Sequence, residues 1–181
     1  MKDELEAKFL EVDKNSLRGK LRVLGASCES EERIMRRVVF ESKFLQEKRA
    51  WLRVRDEGNV TKLTLKQSSN ATGISRIQEA EVTVGSFDEI KTILNELGLE
   101  EKRFQENYRE SWKYMGVSID IDTWPKIPTY VEIEGDTEQL VMEVAKALGF
   151  DYNNAVFGSA DEVFKDNYGI DILKMDKLVF E

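Results

Sequence analysis

The sequence predicts an α+β domain in which an antiparallel sheet carries charge on one face and helices on the other. Several short segments alternate apolar with charged residues, as in Leu52-Arg53-Val54-Arg55, and this alternation is typical of half-buried strands. Longer segments have apolar residues at helical spacing and end in Leu-Gly, as at Leu24-Gly25, where glycine is common just past a helix end. Short turns join several of the strands, so we expect them to pair in antiparallel fashion.

The predicted elements follow one another along the chain. Strands are predicted at residues 4–8, 33–42, 50–55, 60–66, 76–84, 102–112, 117–122 and 129–134. Helices are predicted at residues 17–24, 86–97, 136–148 and 159–168. We expect Asn15 or Ser16 to cap the first helix and Ser86 the second, and we expect residues 42–49 and 67–75 to be loops.

Composition limits the kind of protein. The chain has 181 residues, of which 34% are charged, and its net charge is −8, which speaks against nucleic-acid binding as its main purpose. Its one cysteine, Cys28, cannot form an intrachain disulfide, which indicates a reducing compartment. There is no apolar leader at the N-terminus and no long apolar run. We therefore expect a cytoplasmic protein with neither a membrane nor a nucleic-acid partner.

The chain contains no histidine, and this limits its chemistry. A closed zinc site of nitrogen and sulfur ligands cannot form from one cysteine alone. A Ser-His-Asp or Cys-His mechanism is excluded as well. Any metal must be held by carboxylates, which favours Mg²⁺ or Mn²⁺, with Ca²⁺ as a further option.

Charged residues occur as pairs two positions apart, so both members of a pair share one strand face. The pairs are Glu4/Glu6, Glu79/Glu81, Asp120/Asp122, Glu132/Glu134, Arg53/Arg55 and Lys62/Lys66. One interpretation is a solvated sheet face with cross-strand ion pairs, which predicts intermingled signs. The other is a barrel with this face inward. Its wall would suit a polyphosphate, because Arg and Lys bind phosphate oxygens and carboxylates bind cations.

The order of these motifs resembles the CYTH superfamily, the triphosphate tunnel metalloenzymes. This superfamily includes class IV adenylate cyclases, thiamine triphosphatases and inorganic triphosphatases. The segment Glu4-Leu5-Glu6-Ala7-Lys8 matches its ExExK signature. Further matches are Leu52-Arg53-Val54-Arg55, Lys62-Leu63-Thr64-Leu65-Lys66, Arg76 with Glu79 and Glu81, Arg109, Asp122 and Glu132-Ile133-Glu134.

The resemblance implies a closed eight-stranded antiparallel β-barrel, or tunnel, with helices packed outside. We expect a single domain over residues 1–181, with a tunnel core at about residues 1–150 and a C-terminal helical extension at about residues 151–181. The implied partner is a small triphosphate such as ATP, with Mg²⁺ or Mn²⁺ as cofactor. Whether the protein forms a homodimer is left open.

The resemblance also assigns roles to residues. The implied phosphate contacts are Lys8, Arg53, Arg55, Lys66 and Arg109. The implied metal ligands are Glu4, Glu6, Asp122, Glu132 and Glu134. The implied catalytic residues are Lys8 and Glu81. The family commonly has Lys-x-Arg where this chain has Asn107-Tyr108-Arg109, so one phosphate-binding charge is missing there.

Three functions remain open at this point. A class IV cyclase-like enzyme would convert ATP to cyclic AMP and pyrophosphate, and the overall resemblance favours this function narrowly. A triphosphatase would direct water at the terminal phosphorus of an inorganic, thiamine or nucleoside triphosphate. A binding module would hold a polyphosphate or nucleotide without turnover. Lys8 could act as a base, or it could remain charged and stabilise the transferring phosphate.

Overall fold

The computed structural model describes residues 1–68, 74 and 77–181, and for residues 2–4 it describes the backbone alone. The strands are β1 (Lys2–Glu4), β2 (Glu6–Phe9), β3 (Ser27–Glu41), β4 (Ala50–Asp56), β5 (Thr61–Ser68), β6 (Ile77–Val84), β7 (Glu100–Tyr114), β8 (Val117–Thr123), β9 (Tyr130–Glu134) and β10 (Lys177–Leu178). The α-helices are α1 (Lys14–Val23), α2 (Lys43–Glu47), α3 (Phe87–Glu96), α4 (Glu138–Ala147) and α5 (Ala160–Tyr168). Two 3-10 turns lie at Tyr152–Asn154 and Ile172–Lys174.

The strands form one sheet in the order β1-β6-β5-β4-β3-β7-β8-β9-β2. Every neighbouring pair in this order is antiparallel, and β10 adds to β7 in parallel. β1 and β2 stand at the two ends of the order, although only Leu5 separates them along the chain. The predicted α+β class, antiparallel sheet and external helices are confirmed. Closure of the barrel goes beyond these pairings and is taken up as a proposal below.

Two apolar clusters cover the uncharged face of the sheet, and a third lies beside Trp124 and Tyr130. The largest joins β2, β8 and β9 to α1 and α4 through residues such as Ile133, Leu21 and Val144. The second packs α3 on β3 and β4. The third places α5 and the C-terminal segment against Trp124 and Tyr130. The charged side chains therefore project from the other face.

The helix ends follow the expected chemistry in most cases. Ser86 accepts a hydrogen bond from the Glu89 amide at 3.2 Å, and Ser159 forms a capping box with Glu162. The predicted cap of α1 is wrong, because Asp13 accepts from the Ser16 amide at 2.7 Å. A carboxylate one turn earlier satisfies the first free amides of the helix, so α1 begins at Lys14.

Two further expectations are wrong in detail. Residues 42–49, expected as a loop, contain α2, whose N-cap is Ser42. The sequence predicts an apolar stripe of Ile90, Ile93, Leu94 and Leu97 on α3, but only Leu94 of these is fully buried, and Ile93 and Leu97 are exposed. The predicted loop at residues 67–75 lies largely outside the described residues.

The C-terminal segment contains α5, the two 3-10 turns and β10. Val156 exchanges two backbone hydrogen bonds of 2.9 Å with Lys8, which ties the segment to β2. The division into a core and a C-terminal extension stays a prediction. Among the described residues, no helix has the length and apolar character that crossing a bilayer requires.

Candidate functional site

A cavity of about 950 Å³ lies against the charged face of the sheet. Side-chain alternation creates it, since one residue in two on each strand faces the cavity while its neighbours enter the apolar clusters. Val54, for example, is fully buried in the cluster under α3, whereas Arg53 and Arg55 beside it line the cavity. The predicted site residues in the wall are Glu6, Lys8, Arg53, Arg55, Lys66, Glu81, Arg109, Glu132 and Glu134.

The basic side of the cavity is built by β4 and β5. In the strand register Arg53 stands opposite Thr64, and Lys66 of β5 stands opposite Glu79 of β6. The Lys66 Nζ lies 3.4 Å from a Glu79 oxygen, and an Arg55 Nη lies 2.6 Å from a Glu57 oxygen. The basic heads therefore share one wall, and each has an acidic neighbour at its edge.

Glu81 is held by three groups of this basic side. It accepts a hydrogen bond from Thr64 at 2.8 Å, and its oxygens lie 2.8 Å from Lys62 and 3.6 Å from Arg53. Burial favours the neutral acid, but the bonds from Lys62 and Thr64 and the nearby cations outweigh it and lower the pKa of Glu81 to about 2. Glu81 is therefore a carboxylate at neutral pH.

The acidic side is built by β2, β8 and β9. Glu6 stands directly opposite Glu134, and Asp120 stands opposite Glu132. Like charges that face each other across strands destabilise a sheet unless a cation lies between them. Two opposed carboxylates at the cavity wall thus define where a cation is most favourable.

Lys8 lies at the centre of this acidic side and is 1% exposed. Its ammonium contacts Glu6, donates to the Gly158 carbonyl oxygen at 2.7 Å and lies 3.6 Å from Glu132. Its neighbours are therefore mainly hydrogen-bond acceptors. An ammonium held in this way is placed to act through its charge.

Arg109 joins three carboxylates of the acidic side. It binds both oxygens of Asp122, lies 2.7 Å from Asp120 and lies 2.5 Å from Glu132. Asp122 is fully buried behind it and does not line the cavity. Burial raises the pKa of Asp122, while Arg109 and Lys8 hold the pKa of Glu132 well below its usual range against the opposing effect of burial.

The wall also contains charged residues that the sequence interpretation did not assign to the site, and they include Arg33, Arg37, Glu57 and Arg103. β3 has apolar residues on both faces, with Met35 and Val39 inward and Val38 outward. Alternation alone could not decide which of the adjacent Arg36 and Arg37 enters the cavity. The pairing of Arg37 with Arg55 on β4 is the signal that decides it.

The carboxylate donors are hard oxygen ligands of the kind that Mg²⁺ and Mn²⁺ prefer. Among the side chains that the structure describes, no group of three or more Asp, Glu or Cys residues is arranged to hold a metal ion. Arg109 contacts Asp120, Asp122 and Glu132 together, and the strand register places Glu6 directly opposite Glu134 at the cavity wall. The Glu4 side chain lies outside the described residues, so its predicted role stays a prediction.

The CYTH domain model matches residues 3–157. This match covers strands β2 to β9 and all of the predicted site residues. The chain belongs to the CYTH domain family.

Solved structures share this fold at low sequence identity. A conserved hypothetical protein from Pyrococcus furiosus is 21% identical, with a TM-score of 0.72 over 87% of this chain and 97% of its own. A candidate adenylate cyclase from Vibrio parahaemolyticus is 11% identical, with a TM-score of 0.76 over 91% of this chain and 98% of its own. A candidate adenylyl cyclase from Hippeastrum with a dominant triphosphatase activity is 17% identical, with a TM-score of 0.60 over 91% and 96%. These likenesses establish the fold, and a search of curated proteins returned no match.

Proposed function

We propose that this protein is a divalent-metal-dependent enzyme that acts on a triphosphate bound in the charged cavity. The observation that carries the proposal is that one cavity wall holds both a group of basic side chains and a group of carboxylates. Arg53, Arg55 and Lys66 form a basic side, and Glu6, Glu132 and Glu134 form an acidic side of the same cavity. A polyphosphate needs the basic side for its phosphate oxygens, and its cation needs the carboxylates of the acidic side.

The shape of the cavity depends on closure of the sheet. β1 pairs with β6 at one end of the strand order, and β2 pairs with β9 at the other. With only Leu5 between β1 and β2, the N-terminal strand reaches both ends of the sheet. We take β1 and β2 as one bent strand that closes an eight-stranded antiparallel tunnel.

Arg53, Arg55 and Lys66 are the proposed phosphate contacts on the basic side, and Arg109 and Lys8 approach from the acidic side. Glu57 and Glu79 hold Arg55 and Lys66 in place at the wall. A phosphate offers several acceptor oxygens to such donors, so it can bind more than one of them at a time.

Glu6 and Glu134 are the proposed first ligands of Mg²⁺ or Mn²⁺, joined by Glu132, with Glu4 as a further member of the set. Asp122, which the family resemblance also assigned to the metal, is buried behind Arg109 and is left out of the proposed set. When bound, the metal would neutralise phosphate charge and orient the substrate. Lys8 would add positive charge beside these ligands, since its ammonium is fixed by Glu6 and by the Gly158 carbonyl. Glu81, a carboxylate held by Lys62 and Thr64, is the proposed second catalytic residue.

Two reactions fit this arrangement. In a class IV cyclase-like reaction, the ribose 3′-hydroxyl of ATP attacks the α-phosphorus, a proton leaves the hydroxyl, and pyrophosphate departs. In a triphosphatase reaction, water attacks the terminal phosphorus and loses a proton, the bond from that phosphorus to the bridging oxygen breaks, and orthophosphate and the remaining diphosphate leave. The candidate cyclase from Vibrio parahaemolyticus supports the first, and the dominant triphosphatase activity of the Hippeastrum protein supports the second equally. We therefore propose a triphosphate substrate, and analysis of the products distinguishes the two reactions.

The deciding experiment incubates pure protein with ATP, tripolyphosphate or thiamine triphosphate, each with Mg²⁺ or Mn²⁺. Products are separated by chromatography. Cyclic AMP with pyrophosphate identifies the cyclase, whereas ADP with orthophosphate, or cleavage of tripolyphosphate, identifies the triphosphatase. Turnover should be lost in Glu6→Gln and kept in Glu143→Gln, a surface variant on α4 with the same change of charge. Binding without turnover of any of the three would indicate a non-catalytic binding module instead.

A further inference from the structure

Arg37 of β3 is a cation that none of the predicted roles includes. Its register partners are Arg55 on β4 and Gln105 on β7, and its guanidinium lies 4.5 Å from the centre of the Trp124 ring. The side chain lines the cavity and is 7% exposed. The fold thus places a nearly buried positive charge in the middle of the wall.

The positive charge of Arg37 has fewer carboxylate counter-ions nearby than the charges of Arg55 and Arg109. Its one hydrogen-bond acceptor among the described residues is the neutral Asn107 side chain, and its Nε is buried without a partner. Arg109, in contrast, has three carboxylates, and Arg55 has Glu57 at 2.6 Å. Within the described part of the chain, no carboxylate lies within 4.0 Å of the Arg37 guanidinium nitrogens.

A buried charge without a counter-ion is costly. Burial and the nearby guanidiniums of Arg53, Arg55 and Arg109 lower the pKa of Arg37 to about 9, which reflects how unfavourable the cation is there. An anion in the cavity would remove this penalty. Natural proteins retain such uncompensated charges mainly where function requires them.

Two other buried donors lie in the same wall. The Trp124 Nε1 and the Tyr130 hydroxyl each lack a hydrogen-bond partner among the described residues, and their side chains are 3% and 1% exposed. An indole N–H can only donate a hydrogen bond, and a tyrosine hydroxyl can donate one, so both groups can offer a donor to a ligand. Unsatisfied buried donors are rare in folded proteins, and here they line the cavity that contains Arg37.

Arg37 also stands between the two sides of the site. Asn107, which accepts its hydrogen bond, donates to Asp122 at 2.7 Å, and Asp122 binds Arg109. A continuous set of hydrogen bonds therefore runs from Arg37 to the acidic side, while the strand register joins it to Arg55 on the basic side.

We propose that Arg37, with Trp124 and Tyr130 beside it, forms a phosphate subsite between the basic and acidic sides of the cavity. The assignment rests on the proposed triphosphate function, which it deepens by naming the residue that holds a central phosphate group. Arg37 contributes its charge and its free donors, and Trp124 fixes the plane of the guanidinium by stacking.

The test measures binding of tripolyphosphate by isothermal titration calorimetry in the presence of a chelator. The variants are Arg37→Gln, Arg37→Lys and the matched control Arg36→Gln, whose side chain lies on the opposite face of the same strand and is exposed. Arg37→Gln should weaken binding by about 10-fold or more, as expected for loss of charged hydrogen bonds. Arg37→Lys keeps the charge without the planar fork and should weaken binding several-fold, whereas Arg36→Gln should stay within about twofold of the wild type.

Thermal unfolding without ligand separates a phosphate contact from a purely structural role. If Arg37 is an uncompensated cation kept for binding, Arg37→Gln should be at least as stable as the wild type, and tripolyphosphate should raise its melting temperature less. A less stable Arg37→Gln or Arg37→Lys that binds tripolyphosphate like the wild type would overturn the inference and leave the proposed function intact. A wild-type protein that binds no tripolyphosphate would overturn the proposed function itself, and the subsite with it.

Discussion

Arg109 of β7 binds both carboxylate oxygens of Asp122 on β8, and its Nε lies 2.8 Å from Asp122 Oδ1. The two residues are direct partners in the strand register, so the sheet itself sets the geometry of this ion pair. Asp122 is fully buried, and the same guanidinium also holds Asp120 and Glu132. Arg109 therefore organises the acidic side of the cavity in addition to its proposed contact with phosphate.

Removing Arg109 should destabilise the fold, because it leaves Asp122 buried and unpaired. We expect Arg109→Gln to lower the free energy of unfolding by about 3–5 kcal/mol, the range for breaking one partner of a buried pair. The double variant Arg109→Gln/Asp122→Asn should lose less than the sum of the two single variants. Urea unfolding at pH 7, followed by circular dichroism, measures both values. An Arg109→Gln protein as stable as the wild type would show that the pair does not support the fold.

Removing a carboxylate from the opposed pair should affect turnover and leave the fold intact. Glu6→Gln or Glu134→Gln should reduce turnover by at least about 10²-fold, on the scale of losing a metal or transition-state contact. Neither residue belongs to an apolar cluster, so far-ultraviolet circular dichroism should stay unchanged. Glu143→Gln serves as the control. Full activity in a chelator, or unchanged kinetics in both variants, would refute a metal site at this position.

Folding stability at acid pH should depend on Glu81. Its pKa is about 2 in the folded protein and about 4.5 when unperturbed, so the folded state binds this proton less readily than the unfolded state. The resulting stability is fully present above about pH 4.5 and is lost as the pH falls towards 2. Melting temperatures of the wild type should therefore drop across this window more steeply than those of Glu81→Gln. Parallel curves for the two proteins would contradict the ion pairs described for Glu81.

Weakening the basic side should weaken substrate binding more than the chemical step. Lys66 is nearly buried and faces the cavity, so Lys66→Gln should raise KM for the triphosphate that is turned over by about 10-fold, with a smaller change in kcat. The exposed Lys146→Gln on α4 is the matched control for loss of one positive charge. Steady-state kinetics at constant ionic strength provide the measurement. An equal effect of both variants would mean that Lys66 contributes only to the overall charge.

Strand alternation made much of the candidate site predictable from the sequence. Pairs such as Arg53/Arg55 and Glu132/Glu134 have an apolar residue between them, and that residue fixes which face is buried. Arg37 escaped prediction because β3 has apolar residues on both faces, and its inward direction follows only from its pairing with Arg55. The contacts of Lys8 escaped as well, since one of its acceptors, the Gly158 carbonyl, is 150 residues away in sequence.

For the helices, too, features set by neighbouring residues were predictable, whereas features set by tertiary contacts were not. Leu-Gly helix ends were predictable because a left-handed residue is needed there, and Gly25, Gly98 and Gly149 all have positive φ values. The extent of burial of α3 was not predictable, because the cluster on β3 and β4 buries Leu94 while Leu97 stays exposed to solvent. Which helix covers which part of a sheet depends on the topology of the chain. The periodicity of apolar residues carries no information about that topology.

A crystal structure of the protein with tripolyphosphate and Mn²⁺ tests the central claim most directly. The account predicts phosphate groups inside the cavity within hydrogen-bonding distance of Arg53, Arg55 and Lys66, with anomalous density for Mn²⁺ next to Glu6 and Glu134. An empty cavity at saturating ligand, or a triphosphate bound only on the outer surface of the protein, would contradict it.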